Sequence, residues 1–341
     1  MTNTIKNMDE LAKASGVSRP TVSKYFHDPD SVRASTRERI EAAIRAHDYR
    51  PNIYAINQNR KLTKNVGIVV PHLADPFFAE IARAIEQLCI EAGFSPTMYS
   101  SYGDAQQEIE ILDSLRSLKP AGVLLAPLGH DSDLKRLEKF CKSVPTVLVD
   151  SNIQGLGEAF IGSDNASFVN QTVEYLVRTG EPPLFFEMET PSNPNADHRR
   201  ETYIAKMDSM GFEPEIVGVP GKGWNFEEIG YRGAHDLLDK GIPKRSILCS
   251  NDRLAIGFLS AAYERGLTVG RQPGDTLRLA SNDDHPYARF TCPSLTTAAH
   301  DYEAVSTHSV RTLVERIEQG SALRTRQETR YPARLVLRNS S

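Results

Sequence analysis

Apolar residues recur along this chain with two different spacings, and the change of spacing divides it. Over the first fifty residues the period is helical: Ile5, Met8, Leu11 and Ala12 form one stripe, Val22 and Phe26 a second, and Ile40, Ala43 and Ile44 a third. The punctuation agrees with it. Gly16 stops the first stripe as a C-terminal glycine does, and Ser18 stands where a capping hydroxyl is needed. Pro20 falls in the next first turn, where a missing amide hydrogen matters little. A third helix is expected over about Ser35 to His47. Pro51 and Asn52 then break it and can start another short helix, and Arg60 to Lys64 reads as a basic linker.

Beyond the linker, short β-rich runs alternate with helical stretches. Val66–Val70, PTMYS, AGVLLAP and VPTVLVD read as strands; the first helices between them carry Phe77, Ile81, Ile85 and Leu88 on one face, then Ile109, Leu112 and Leu115. From about residue 165 the scheme restarts with helix Asn165–Val177, strand PLFFEM, helix Arg199–Met210 and strand EIVGV. Helix Glu227–Leu238, strand SILCS, helix Leu254–Arg265 and strand TLRLA complete it. Strand-helix alternation implies a doubly wound, mainly parallel sheet, and two such series imply two lobes. The expected architecture is a small all-α helix-turn-helix domain over 1–50, a hinge helix and linker over 51–62, and an α/β two-lobed doubly wound body over 63–341.

Charge adds a direction to this division. Residues 1–62 hold 11 Lys/Arg against 7 Asp/Glu, so the head is net +4 on a chain that is −4 in all. A basic head on an acidic body fits a polyanion held at one end. Among the head residues, Arg19, Pro20, Thr21, Ser23 and Lys24 lie on the side of the second helix away from Val22 and Phe26. A recognition helix presents its N-terminal residues to base edges in the major groove. Arg19 suits a bidentate guanine contact, Lys24 a base or phosphate, Thr21 and Ser23 phosphate oxygens, and Pro20 a shape or apolar contact. Thr36 and Arg37, at the start of the third helix, stand near the DNA backbone.

No run of about 18 apolar residues occurs, and the first residues lack the apolar stretch of a secretory signal, so a cytoplasmic protein is expected. Cys89, Cys141, Cys249 and Cys292 are too far apart for zinc or redox motifs and are read as reduced core thiols. A phosphate loop, a metal-spaced His/Cys set and a nucleophile elbow are all missing, so neither an enzyme nor a cofactor or metal is expected. Ser281–Tyr287, with adjacent carboxylates and a histidine, is read as a binding loop. Polar and aromatic residues gather where strands end: Asp75 and Phe77, Tyr102 and Asp104, and Asp150 in the first series, then Arg199, Trp224, Asn251, Asp252 and Asp283 in the second. Carboxylates, an amide and an arginine hydrogen-bond vicinal hydroxyls, and Phe77 and Trp224 can stack on sugar faces, so a polyol is the expected ligand. Trp224 equally suits packing between lobes.

LAKASGVSRPTVSKYF, STRERIEAAIRAHDYRPN, VGIVVPHLADPFFAEIARAIE, SNDRLAIGFLSAAYERGL and DDHPYARFTCPSLTTAAHD occur in that order. On these segments the chain resembles the LacI/GalR transcriptional regulators over nearly its whole length. The resemblance implies a helix-turn-helix head and hinge helix on a periplasmic-binding-protein-like (type I) body. Lobe 1 is placed at about 63–162 and 292–322, and lobe 2 at about 163–291 and 323–341. It further implies a homodimer on palindromic operator DNA and a sugar-like effector in the cleft. The family's first recognition positions fall on Arg19 and Pro20, and its usual arginine falls on Lys24, which lacks the planar fork for guanine. In the hinge, Pro51, Asn52 and Ala55 match. The minor-groove leucine falls on Gln58, so either Ile56 substitutes for it or the operator is bent less. Its effector residues fall on Arg199, Asn251, Asp252 and Asp283, with Thr202 and Tyr203 where a glycine-aromatic pair is usual.

With no leucine heptads after the last strands, a dimer rather than a coil-assembled tetramer is expected, its surface on helices Pro76–Glu91 and Gln106–Leu118. Three readings compete with a sugar-responsive repressor; one of them, a metabolic enzyme with an appended DNA head, needs a catalytic constellation that the sequence does not show. A purine-responsive regulator keeps the architecture and stacks a flat base on Phe77, Tyr102 or Trp224, whereas a sugar-binding protein without a DNA role has no use for residues 1–62.

Overall fold

The computed structural model describes residues 5–50, 63–191, 193–320 and 325–341. The chain divides into two compact units, Met1–Thr63 and Lys64–Ser341. The expected hinge, including Asn52, Ala55, Ile56 and Gln58, lies outside the described residues.

In the first unit, α1 (Met8–Ser15) is capped by the Asn7 side chain and closed by Gly16 at φ 63°, a left-handed conformation that glycine adopts without strain. Helix α2 (Arg19–His27) starts at Ser18, whose hydroxyl accepts from the Thr21 amide, with Pro20 in its first turn. Helix α3 (Ala34–His47) crosses both, and Leu11, Ala12, Val22, Ile40, Ala43 and Tyr49 form the buried core. Phe26 and Ile44 pack against its edge, as their spacing predicts.

The second unit contains two six-stranded sheets. The first is built from β1 (Asn65–Val70), β2 (Ser95–Ser100), β3 (Gly122–Leu125), β4 (Thr146–Val149), β5 (Ala159–Ser163) and β11 (Gln327–Tyr331). Its order is β11-β5-β4-β3-β1-β2, with every pairing parallel. Strand β1 shows why it is doubly wound. Val66, Ile68 and Val70 face α4 (Pro76–Glu91) and α11 (Tyr302–Gln319), while Val69 faces α5 (Ala105–Leu118) and α6 (Leu134–Cys141). Period-two alternation buries both sheet faces under helices.

The second sheet takes β6 (Leu184–Met188), β7 (Ile216–Val219), β8 (Ser246–Cys249), β9 (Arg278–Asp283), β10 (Thr296–Ala299) and β12 (Arg334–Val336), in the order β12-β10-β9-β8-β6-β7. Only its β10–β12 edge is antiparallel. Helices α9 (Phe226–Lys240) and α10 (Asp252–Glu264) cover one face, and α7 (Asn165–Thr179) and α8 (Pro194–Ser209) the other.

Pairing moves the expected lobe boundaries. Strand β10, expected in lobe 1, pairs with β9 in the second sheet, and β11, expected in lobe 2, pairs with β5 in the first. Neither strand reads as apolar alternation, so the sequence pattern could not assign them. Helix α8 begins at Pro194, capped by Asn193, so Arg199 lies within the helix rather than at its start. Ile85 and Leu112, expected on a dimer surface, are 1% and 3% exposed and belong to the core. On α4 it is Ile90, 58% exposed, that faces solvent. Cys89 and Cys249 are buried thiols, but Cys292 is on the surface, against the expectation of a core position.

Candidate functional site

Both sheets end their parallel strands at one cleft, as doubly wound sheets do. It encloses about 780 Å³, open mouth included. Lobe 1 contributes Asp75 after β1 and Asp150 after β4; lobe 2 contributes Glu187 on β6, Asn251 after β8 and Asp283 at the end of β9.

Arg199 organises the floor. Its Nε donates to Asn165 Oδ1 at 2.8 Å, its Nη1 to the Ser250 carbonyl at 2.7 Å, and its Nη2 to Asp283 Oδ1 at 2.7 Å. His300, from the crossing between β10 and α11, places Nε2 3.2 Å from the same Asp283 oxygen and Nδ1 2.6 Å from Ser163 Oγ. Burial pushes Asp283 up, but Arg199 and His300 outweigh it and hold the carboxyl below its ordinary range. Burial lowers the pKa values of His300 and His285.

At the mouth, Asp75 caps α4 by accepting from the Phe77 amide at 3.0 Å, and its other oxygen meets Arg253 Nη1 at 2.9 Å. Arg253 also forks onto Glu227, so one guanidinium ties lobe 2 to lobe 1. Burial raises Asp75, with Arg253 opposing. Asp150 is buried and accepts from Asn195 Nδ2 at 3.0 Å. Burial, against Arg199 and with the charges of Asp283 and Asp75, pushes it up to about 7.

The aromatic wall includes Phe77, which packs on His300 with centroids 4.6 Å apart, and Tyr302 at 5.8 Å from Phe77. Trp224 lies between the lobes. It lines the cleft and also packs the lobes together, stacked on His72 at 5.7 Å and edge-on to Phe78 at 5.7 Å.

Asp75, Phe77, Asp150, Arg199, Trp224, Asn251 and Asp283 therefore converge on the cleft. Asn251 does so with its Oδ1 already accepting from the Leu254 amide as the cap of α10. Two expected residues do not converge. Tyr102 is 70% exposed, because the backbone turns left-handed there (φ 54°) and leaves its ring edge-on to His72 outside the lining. Asp252 is fully buried and outside the lining. It accepts from Ser281 Oγ, from Thr297 Oγ1 at 2.7 Å and from the His285 amide at 2.7 Å, so it ties β9 and β10 to α10. Burial and the Asp283 charge push it up to about 8.

The sequence reading missed Glu187, Asn195, Arg253, His300 and Tyr302 as lining residues. Signals existed: Glu187 is a charge inside an apolar strand, Arg253 follows the Asn-Asp pair, and His300 follows the last parallel strand. His285 does line the cleft, as a binding loop requires.

In the first unit Arg19, Pro20, Ser23 and Lys24 are exposed on α2, and Arg19 Nε lies 3.2 Å from Asp9. Thr21 is half-buried, its hydroxyl 2.8 Å from Ser18 Oγ, and Thr36 is half-buried at the start of α3. Among the described residues, no helix is long and apolar enough to cross a membrane.

Residues 7–52 match the family described as "Bacterial regulatory proteins, lacI family". Residues 63–281 match "Periplasmic binding proteins and sugar binding domain of LacI family". The NTD biosynthesis operon regulator NtdR of Bacillus subtilis (strain 168) is 26% identical over 98% of this chain and 99% of its own. The HTH-type transcriptional repressor CytR of Escherichia coli (strain K12) is 26% identical over 92% of this chain and 91% of its own. In fold the chain is similar to a Lac repressor dimer solved bound to operator and the anti-inducer ONPF, with a TM-score of 0.82, 23% identity and 99% of each chain covered. Matched in its head and across most of its body, the chain belongs to the lacI family of bacterial regulatory proteins.

Proposed function

We propose that this regulator is a repressor that binds palindromic operator DNA as a homodimer in the cytoplasm, and that a small carbohydrate-like effector in the cleft switches its operator affinity. The observation that carries the reading is the cleft, where Arg199, Asp283, Asp150 and Asp75 face aromatic rings from both lobes. Such a lining hydrogen-bonds hydroxyls and stacks on a ring at once. Closure of the lobes on a ligand favours one arrangement of the body, and affinity for DNA follows if the two arrangements space the heads of a dimer differently. On the DNA side, Arg19, Pro20, Ser23 and Lys24 offer base and phosphate contacts, with Thr21 and Thr36 at the backbone. Asn52, Ala55 and Ile56 belong to the same proposal as hinge contacts. The aromatic faces of Phe77 and Trp224 also suit a flat base, which keeps purines as the second effector class.

Fluorescence anisotropy of labelled DNA from upstream of the protein's own gene tests the reading. The titration is run in a salt series and then with sugars, polyols and purines. Specific, salt-dependent binding that one compound alters supports it. Binding that no operator mutation weakens, and no compound changes, contradicts it.

A further inference from the structure

The cleft presents four carboxyl groups, Asp75, Asp150, Glu187 and Asp283, against two guanidinium groups, Arg199 and Arg253. Both guanidinium groups are already engaged. Arg199 donates to Asn165, Ser250 and Asp283, and Arg253 donates to Glu227 and Asp75, so each already has a carboxylate partner. A phosphate or carboxylate on a ligand would meet an acidic field and no uncommitted cation, so an anionic effector is disfavoured.

Acceptors, by contrast, remain open. Glu187 is 1% exposed and sends Oε1 to Arg200, while its Oε2 is buried with no hydrogen-bond partner among the described residues. Asp150 is 7% exposed and makes no ion pair among the described residues; the charge of Arg199 reaches it, opposed by those of Asp283 and Asp75. A buried carboxyl in such company is held at a loss until a cation joins it. The cleft walls also include Phe77 and Tyr302, aromatic rings of the kind that attract a cation. A buried donor faces them. His285 Nδ1 accepts from the Tyr287 amide, so its proton is on Nε2, which is buried without a partner and suited to a ligand oxygen.

We infer that the effector is an aminated polyol, an amino sugar or close relative, whose protonated nitrogen sits at Asp150 and whose hydroxyls serve Glu187 and His285. The inference rests on the reading of this cleft as the effector site and adds the charge of the ligand to it. A protonated nitrogen supplies the direct ion pair that Asp150 lacks among the described residues, and the hydroxyls supply donors for Glu187 and an acceptor for His285. Neutral sugars satisfy the second need but not the first.

The test is isothermal calorimetry on the full-length protein with amino-hexoses and amino-pentoses, each beside its neutral parent and its N-acetyl derivative. At least one amine binds roughly tenfold or more tightly than both counterparts, the margin of a charge-assisted over a neutral hydrogen bond. Asp150→Asn removes that preference, so that the amine binds no more tightly than its neutral parent, and Glu187→Gln weakens parent and amine alike. A neutral sugar or purine nucleoside binding more tightly than every amine overturns the inference, as does a preference that survives Asp150→Asn. Absence of binding by all the amines at millimolar concentration overturns it too. Operator anisotropy run with the same compounds keeps the two readings apart. A neutral compound that alters DNA affinity defeats the amine and leaves the regulator standing.

Discussion

Replacing Arg253 with methionine removes the guanidinium that ties the lobes together at the cleft mouth. Its Nη1 is 2.9 Å from Asp75 Oδ2, and the two side chains are 14% and 8% exposed. At an effective dielectric constant of about 20, charges roughly 4 Å apart attract by about 4 kcal/mol, and the desolvation already incurred offsets part of this. Removing one partner strands the other, so Arg253→Met is expected to lower stability by about 3 kcal/mol. The double variant Asp75→Asn/Arg253→Met no longer strands the Asp75 charge, leaving only the part-exposed Glu227 without its partner, and recovers part of that loss, giving a coupling energy of about 2 kcal/mol between the sites. Stability also acquires a pH signature in the single variant. Burial already raises Asp75 and Arg253 opposes it, so without the arginine the folded-state pKa climbs further above the unfolded one. A carboxyl raised in this way favours folding below its unfolded pKa and loses that contribution as pH rises through the folded value. The deficit of Arg253→Met is therefore larger at pH 8 than at pH 5. Urea unfolding of the wild type, both single variants and the double variant at the two pH values measures all of this. Additivity within about 0.5 kcal/mol, or a deficit equal at both pH values, would refute the reasoning.

Four further expectations follow from the geometry. Arg19→Ala relaxes specificity at one operator base pair and lowers affinity by roughly 1–3 kcal/mol, read by anisotropy on single-base operator variants; uniform weakening across positions contradicts direct readout. A β-carbon on Gly129, at φ +77° in lobe 1, would stand 2.1 Å from Cγ of Pro194 in lobe 2, so Gly129→Ala holds the lobes apart and weakens effector binding in calorimetry without altering a cleft side chain. Asp150, pushed up to about 7, favours folding at low pH and loses that contribution as pH rises through 7; Asp150→Asn accordingly raises Tm at pH 8 more than at pH 5 in thermal melts, and an equal gain at both contradicts the assignment. Ile90→Asp, on the exposed end of α4, produces monomers in sedimentation velocity if the dimer surface includes that helix, whereas Leu112→Asp disrupts the core and unfolds the first lobe.

What could be read beforehand depended on how locally each feature is encoded. The end of α1 and the start of α2 were legible because Gly16 and Ser18 act within one turn of themselves. The central strands were legible because burial on both faces leaves continuous apolar runs such as Val66–Val70. Strands β10 and β11 were assigned to the wrong lobes because each takes its partner from a strand in the lobe it was not expected in, a pairing its own residues do not specify. The cleft followed the same division. The strand-end rule found Asp75, Asp150 and Asp283, but it cannot separate a carboxylate that faces a ligand from one such as Asp252, which three donors bind from behind. Arg253 escaped notice because its role depends on Asp75, 178 residues away in sequence and in the other lobe. Tyr102 was misplaced by a left-handed backbone turn that side-chain chemistry does not announce.

The central claim is that a ligand in the cleft and DNA on the head are energetically coupled. The most direct measurement is calorimetry of the effector against the free full-length protein and against the same protein saturated with operator. Linkage requires that operator change effector affinity by the same factor as effector changes operator affinity, and the account predicts matching factors of roughly 5–150. If the effector binds free and operator-bound protein with equal affinity, the cleft and the head act independently and the account is contradicted.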